Sequence, residues 1–175
     1  VVGGSVGAQA LNTVVPQALA LISEFRRPVV IHQSGAKQID ALRTAYEQAD
    51  VQATLTPFIE DTAQAFAHAD VVIARAGAST VTELAAIGVA AIYVPFPHAV
   101  DDHQTTNAKF VVDAGGGWLI PQAELTAQGL ADQLQVLTRE KLAEVAEKAY
   151  AMRKTDATEK TVAICEQLAS QGVVA

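Results

Sequence analysis

Two glycine-bearing turns carry the clearest chemical signal in this sequence. Gly3-Gly4-Ser5-Val6-Gly7-Ala8 follows Val1-Val2, and Arg75-Ala76-Gly77-Ala78-Ser79-Thr80-Val81-Thr82-Glu83 follows a β-branched run. Both lead into helical patterns, where unpaired N–H groups and the helix dipole favour an anion such as a diphosphate. Neither is a standard phosphate signature. A G-x-G-x-x-G fingerprint counted from Gly3 needs glycine at 5 and 8, where Ser5 and Ala8 stand, and no Gly-Lys-Ser/Thr closes the turn. Taken alone, the first turn reads equally well as a tight strand-to-helix connection. In the second, Thr80-x-x-Glu83 has capping-box spacing, so Glu83 reads first as a partner of its own helix N-terminus. Its second reading is a carboxylate for a ribose diol.

Two further stretches gather polar and aromatic groups. Pro95-Phe96-Pro97-His98-Ala99-Val100-Asp101-Asp102-His103-Gln104-Thr105-Thr106-Asn107-Ala108 follows a strand-like run and opens a helix. Asp101, Asp102 and His103 are consecutive, so their side chains diverge, and no His-x-x-x-His or cysteine cluster completes a metal site. The aspartates read as a solvated N-cap, while His103 and Gln104 suit hydrogen bonding to sugar hydroxyls. Thr56-Pro57-Phe58-Ile59-Glu60-Asp61 places Phe58 just past a strand, where it either packs into the core or lies against a base.

The elements that must position these groups follow a βαβ rhythm. Strand-like runs are Val1-Val2, 29–33, 52–55, 70–74, 90–94 and 117–120, several of them apolar on both faces, as strands covered by helices on each side must be. Helical patterns occupy about 8–24, 36–48, 62–68, 80–87, 102–114, 126–137 and 139–151. The expected fold class is α/β, a Rossmann-like doubly wound parallel sheet of about six strands in the order 3-2-1-4-5-6. That order puts the turns after Val2 and Ala74 side by side at the point where the winding reverses. Asp156-Ala157-Thr158-Glu159 has capping-box spacing and introduces a last helix, about 157–170, outside the regular alternation and a candidate partner surface.

Composition narrows the function classes. The 175 residues carry 12 Lys and Arg against 19 Asp and Glu, a net charge of −7 with no basic run, which argues against nucleic acid as a partner. The lone Cys165 cannot form an internal disulfide and reads as a small core residue in a reducing, cytoplasmic setting. No stretch has the length of a membrane-spanning helix, and no signal peptide is visible. The sequence starts within a strand pattern and without Met, so a fragment cut at a domain boundary is expected.

Together GGSVGA at 3–8, HQSG at 32–35, PFIED at 57–61, ADVVIARAGASTVTELAAIG at 69–88 and VPFPHAVDDHQTTNA at 94–108 resemble the C-terminal domain of the MurG family. These transferases move N-acetylglucosamine from UDP-N-acetylglucosamine to the lipid-linked muramoyl-pentapeptide of peptidoglycan synthesis. The resemblance implies one half of a GT-B glycosyltransferase, with residues 1–155 as the UDP-sugar-binding domain and 156–175 as a helix crossing back to an acceptor domain. It implies that Ser5 faces the diphosphate, supported by Gly3, Gly4, Gly7 and Gly77. Phe58 and Ile59 would hold uracil, Ala78, Ser79 and Thr80 the phosphate and ribose, and Glu83 the ribose hydroxyls. His103 and Gln104 would read the N-acetylglucosamine hydroxyls, His103 standing where some relatives carry glutamine. It further implies inversion without a required metal or cofactor, a general base in the acceptor domain, and a peripheral place on the inner membrane face in the longer enzyme. Competing readings are half of a UDP-N-acetylglucosamine 2-epimerase, a non-catalytic nucleotide-sugar-binding subunit, and a Rossmann module sensing a nicotinamide cofactor. Against the last stand the failed fingerprint and the lack of an acidic residue at His32-Gln33-Ser34.

Overall fold

Parallel strands are hydrogen-bonded on both edges and covered on both faces, so short β-branched runs suffice to form them once helices enclose them. Strands β1 (Ile31–Gln33), β2 (Thr54–Thr56), β3 (Val71–Ala74), β4 (Ala90–Tyr93) and β5 (Trp118–Leu119) alternate with helices. These helices are α1 (Gln9–Ala20), α2 (Ile39–Gln48), α3 (Thr62–Ala67), α4 (Ala78–Ile87), α5 (His103–Val112), α6 (Ala127–Val136), α7 (Arg139–Ala151) and α8 (Ala157–Gln171). The computed structural model describes residues 1–3, 8–97 and 102–171.

β1 pairs with β2, and β4 pairs with both β3 and β5, all in parallel. Val2 bridges Gln33 on one side and Ala74 on the other. The order across the sheet is therefore β2, β1, Val2, β3, β4, β5. With Val1-Val2 counted as the first strand, this is the expected 3-2-1-4-5-6, five strands and a bridge standing for the expected six. Most expected boundaries move by one to four residues, β1 and β2 among them. Val29 and Val30 lie outside β1, and β2 is shifted to end at Thr56.

The sheet divides the interior in two. On one face Leu11, Val15 and Leu19 of α1 meet Leu42 of α2, Leu130 of α6 and Ile92 of β4. On the other, Val81 and Leu84 of α4 and Val111 of α5 meet Val72 and Tyr93. α7 closes the amino end of β4, with Leu142 and Val145 against Ala90. Each fully buried aliphatic side chain contributes about 1.5–3 kcal/mol relative to exposure, so these two layers hold the strands without a disulfide. By contrast α8 is exposed along its described length, and Cys165 is exposed with it, so the expected core cysteine is a surface residue. Asp156, offered as a capping residue, holds Lys160 at 2.7 Å, and this hydrogen bond keeps its carboxyl below the usual range.

A buried polar network ties α1 to β1 and α2. His32, fully buried, meets Tyr46 Oη at 3.0 Å through Nδ1 and Asn12 Oδ1 at 3.1 Å through Nε2. Asn12 Nδ2 donates to Gln38 Oε1 at 2.8 Å, so its Oδ1 is the acceptor, His32 donates from Nε2, and Tyr46 donates to Nδ1. This neutral tautomer satisfies all three groups. Burial pushes the His32 pKa down to about 3. The unfolded chain thus binds a proton that the native one refuses between the ordinary value near 6.5 and about 3. Stability is complete above the upper value and falls as pH drops through this window. Unfolding in denaturant at a series of pH values checks this: His32→Gln is less stable at neutral pH but flatter with pH, whereas equal slopes contradict the assignment.

Tyr93 is the counterexample, its buried hydroxyl having no hydrogen-bond partner among the described residues. Such an orphan loses its hydration without replacement. Tyr93→Phe is therefore expected to leave the chain equally stable or up to about 1 kcal/mol more stable, as read by the denaturation midpoint at constant slope.

Candidate functional site

Because Val2 lies between β1 and β3, the segments leaving Val2, Gln33 and Ala74 emerge side by side at the carboxyl edge of the sheet. Gly3 is buried there. Gly4, Ser5 and Gly7 lie outside the described residues, so the expected diphosphate contact of Ser5 is not described. The chain resumes at Ala8, the N-cap of α1, which has no side-chain cap and no acidic residue in its first turn. α4 starts in the same way. Its N-cap is Gly77, extended at φ −62° and ψ 148°, without a side-chain cap or an acidic first turn.

This start corrects the sequence reading of the second turn. Thr80 is the third residue of α4 rather than its cap, so the Thr80-x-x-Glu83 capping box does not form. The reason is local: extended backbone at Gly77 lets the helix begin at Ala78, and the first helical bond runs from Val81 N to Gly77 O at 3.0 Å. The N–H groups of Ala78, Ser79 and Thr80 precede that bond and are the helix's open donors. Glu83 is exposed on the second turn, clear of its helix terminus. Ala78 and Ser79 are exposed and Thr80 half-buried.

Next to this terminus, three segments are stitched together by side chains that sequence reasoning gave no such role. Gln104 Oε1 accepts from Phe96 N at 2.9 Å and from Ala76 N at 3.3 Å. Asn107 Nδ2 donates to Ala76 O at 3.1 Å. Arg75 donates to the carbonyls of Val94 and Pro95 at 3.0 and 3.1 Å and to Gln122 Oε1 at 2.6 Å. Its guanidinium lies 5.5 Å from the Phe96 ring centroid, and burial lowers its pKa from the ordinary value. The only sequence signal for Arg75 is a long cation between two alanines at a strand end. The Gln104 side-chain oxygen joins the 76 and 96 loops. His103 is exposed in the first turn of α5. Asp102 is the N-cap of that helix, as read, but in the left-handed region at φ 51°, and its carboxylate accepts from Thr105 Oγ1 at 2.6 Å rather than from the helix backbone. His98 and Asp101 lie outside the described residues.

Past β2, Phe58 is 58% exposed, which removes its core reading. Its turn is fixed by Thr56, whose Oγ1 donates to Phe58 O at 2.6 Å and accepts from Phe58 N at 3.3 Å. Ile59 is half-buried against the α4 side of the core, and Asp61 caps α3 by accepting from Gln64 N at 2.8 Å. Among the described residues no group of three His, Cys, Asp or Glu is arranged to hold a metal ion. The carboxyl edge thus offers open helix donors, an exposed ring, a displaced carboxylate and an amide.

The family model of the glycosyltransferase family 28 C-terminal domain matches residues 1–164. A curated relative from Acidovorax sp. (strain JS42) is 66% identical over 97% of this chain. It is named UDP-N-acetylglucosamine--N-acetylmuramyl-(pentapeptide) pyrophosphoryl-undecaprenol N-acetylglucosamine transferase, as is a relative from Cupriavidus pinatubonensis at 57% identity. The match covers 42% and 48% of these relatives, so the chain spans about half their length. Among solved structures, MurG of Acinetobacter baumannii superposes with a TM-score of 0.87 at 42% identity, over 95% of this chain and 50% of that one. The glycosyltransferase VinC, solved with dTDP, shares the fold at a TM-score of 0.65 and 18% identity. The parallel α/β sheet with its switch-point edge is thus one half of a GT-B architecture, and this chain belongs to the glycosyltransferase family 28 C-terminal domain family, with close likeness to the MurG transferases.

Proposed function

We propose that this domain holds UDP-N-acetylglucosamine for an inverting transferase that glycosylates a lipid-linked muramoyl-pentapeptide. The observation that carries this reading is the uncapped N-terminus of α4 at the switch point, with Glu83 released from capping and Phe58 exposed nearby in the sheet order. Ala78, Ser79 and Thr80 donate to phosphate and ribose, and Ser5 with its glycines faces the diphosphate. Glu83 accepts from the ribose hydroxyls. Phe58 lies against uracil, and the Ile59 backbone reads its edge. His103 and the Gln104 amide donate to the sugar hydroxyls.

In the transfer step, an acceptor hydroxyl attacks the anomeric carbon as the C–O bond to UDP breaks, and the hydroxyl proton passes to a base. Negative charge grows on the departing diphosphate. Fixed helix donors aimed at it stabilise that charge more in the transition state than in the ground state. In this reading neither a metal nor a cofactor is required. The acceptor, the base and the contact with the inner face of the membrane belong to the other half of the longer protein, against which α8 packs. Among the described residues no helix is long and apolar enough to cross a membrane.

Calorimetric titration tests the reading. UDP-N-acetylglucosamine is expected to bind equally with and without a chelator, and Glu83→Ala to weaken it by about tenfold or more, the value of a hydrogen bond to a charged group. Phe58→Ala is expected to lower affinity for UDP by at least about fivefold, as loss of a base stack does. NADH binding as tightly as the sugar nucleotide overturns the proposal.

Gln104→Ala separates the sugar contact from the rest. It removes the amide donor, so UDP-N-acetylglucosamine should lose more affinity than UDP. Equal losses would reduce Gln104 to its observed role of joining the 76 and 96 loops.

A further inference from the structure

Arg75 is the cation at the carboxyl edge to which the donor contacts give no part. It follows Ala74, the last residue of β3, and its backbone N donates to Val2 O at 3.4 Å. Its side chain reaches past the ends of two further strands. Nη1 donates to the carbonyls of Val94 and Pro95 beyond β4, and Nη2 donates to Gln122 Oε1 in the short turn after β5. Among the described residues no carboxylate forms an ion pair with it. A half-buried guanidinium with three neutral acceptors and no counter-charge carries a desolvation cost that an uncharged bridge avoids. What it supplies in return is a rigid plane of donors that holds several acceptors at fixed angles.

Those acceptors lead to one amide. Val94 and Pro95 precede Phe96, whose N–H donates to Gln104 Oε1 at 2.9 Å and whose ring lies 5.5 Å from the guanidinium. On the other side Arg75 precedes Ala76, whose N–H donates to the same oxygen at 3.3 Å while its carbonyl accepts from Asn107 Nδ2. Arg75 thus holds both peptides that meet at Gln104 Oε1, one through its own backbone and one through its side chain. An oxygen that accepts from two N–H groups in fixed places has its amide plane fixed, and with it the direction of Nε2.

We infer that Arg75 is a positioning residue for sugar recognition: its hold on Val94 and Pro95 sets the separation of the 76 and 96 peptides, and so the direction in which Gln104 presents its amide nitrogen. This role rests on the donor reading, in which that nitrogen meets a sugar hydroxyl, and it deepens that reading by separating selection of the sugar from retention of the uridine diphosphate. The start of α4 does not use the Arg75 side chain. It is set by the extended backbone at Gly77 and the bond from Val81 N to Gly77 O. Loss of the guanidinium therefore disturbs the sugar end of the site and leaves the helix donors in place.

The test uses Arg75→Met, which removes the donors, and Arg75→Lys, which keeps the charge and a single donor group, each alone and combined with Gln104→Ala. Calorimetric affinities for UDP-N-acetylglucosamine and UDP are measured, with amide exchange of Phe96 in the ligand-free chain. Arg75→Met is expected to weaken the sugar nucleotide by at least about fivefold and UDP by less than about twofold, with Arg75→Lys between it and the unsubstituted chain. Combined with Gln104→Ala, it costs no further selectivity, because two residues acting through one contact are not additive. The Phe96 amide exchanges at least about tenfold faster in Arg75→Met. If Arg75→Met does not fold, Arg75→Lys carries the same comparison, its smaller loss confined to the sugar nucleotide. Equal losses for both nucleotides, or a further loss of selectivity on top of Gln104→Ala, overturn the inference, and so does an unchanged Phe96 amide. If the unsubstituted chain binds no UDP-N-acetylglucosamine, the donor reading falls instead, and the Phe96 amide still decides whether Arg75 positions Gln104.

Discussion

The whole arrangement depends on two residues wedged between two strand pairs. Val1 and Val2 accept from Gln33 N and donate to Ile73 O, and no other described backbone joins β1 to β3. Without this bridge the β1-β2 pair and the β3-β4-β5 sheet are separate ladders. With it, three segments leave the sheet in adjacent positions, and the N-termini of α1 and α4 follow from neighbouring strands. Proximity of the two helix termini is thus a consequence of strand order.

What the termini can do depends on what they lack. Helices α3, α6 and α7 carry side-chain caps from Asp61, Thr126 and Thr138, whereas α1 and α4 start at Ala8 and Gly77 without one. Helices α2 and α5 also start without a side-chain cap, so what sets α1 and α4 apart is that their uncapped starts follow neighbouring strands at the switch point. Rigidity comes from behind. The His32, Asn12 and Tyr46 network fixes α1 against the sheet, and Arg75, Gln104 and Asn107 fix the turns beside α4. Donors held in this way need little reorganisation when charge arrives.

The alternation of elements was legible because β3 and β4 are apolar on both faces and the helical segments between the strands keep a helical period. β4 buries all four of its residues, and α7 falls on 139–151 as read. The candidate site was legible as a set of turns rather than as roles. Spacing favoured a capping box at Thr80-x-x-Glu83, since the pattern gives no way to tell which residue takes the extended N-cap conformation. Phe58 was balanced between core and surface, because an aromatic beyond a strand end has the same local pattern in either place. Arg75 carried no local signal, as its partners Val94, Pro95 and Gln122 are far away in sequence.

By itself the sequence determined the α/β class, the strand order and the turns that meet, because hydrophobic period and right-handed crossovers are local rules. It also carried the family likeness, which rests on residue identity alone. Tertiary structure alone decided that Gly77 is the extended N-cap of α4, that the Gln104 side-chain oxygen joins two loops, and that Cys165 is exposed. The first turns on one backbone conformation and the others on packing and contacts between residues distant in sequence, and none of these has a pattern along the chain.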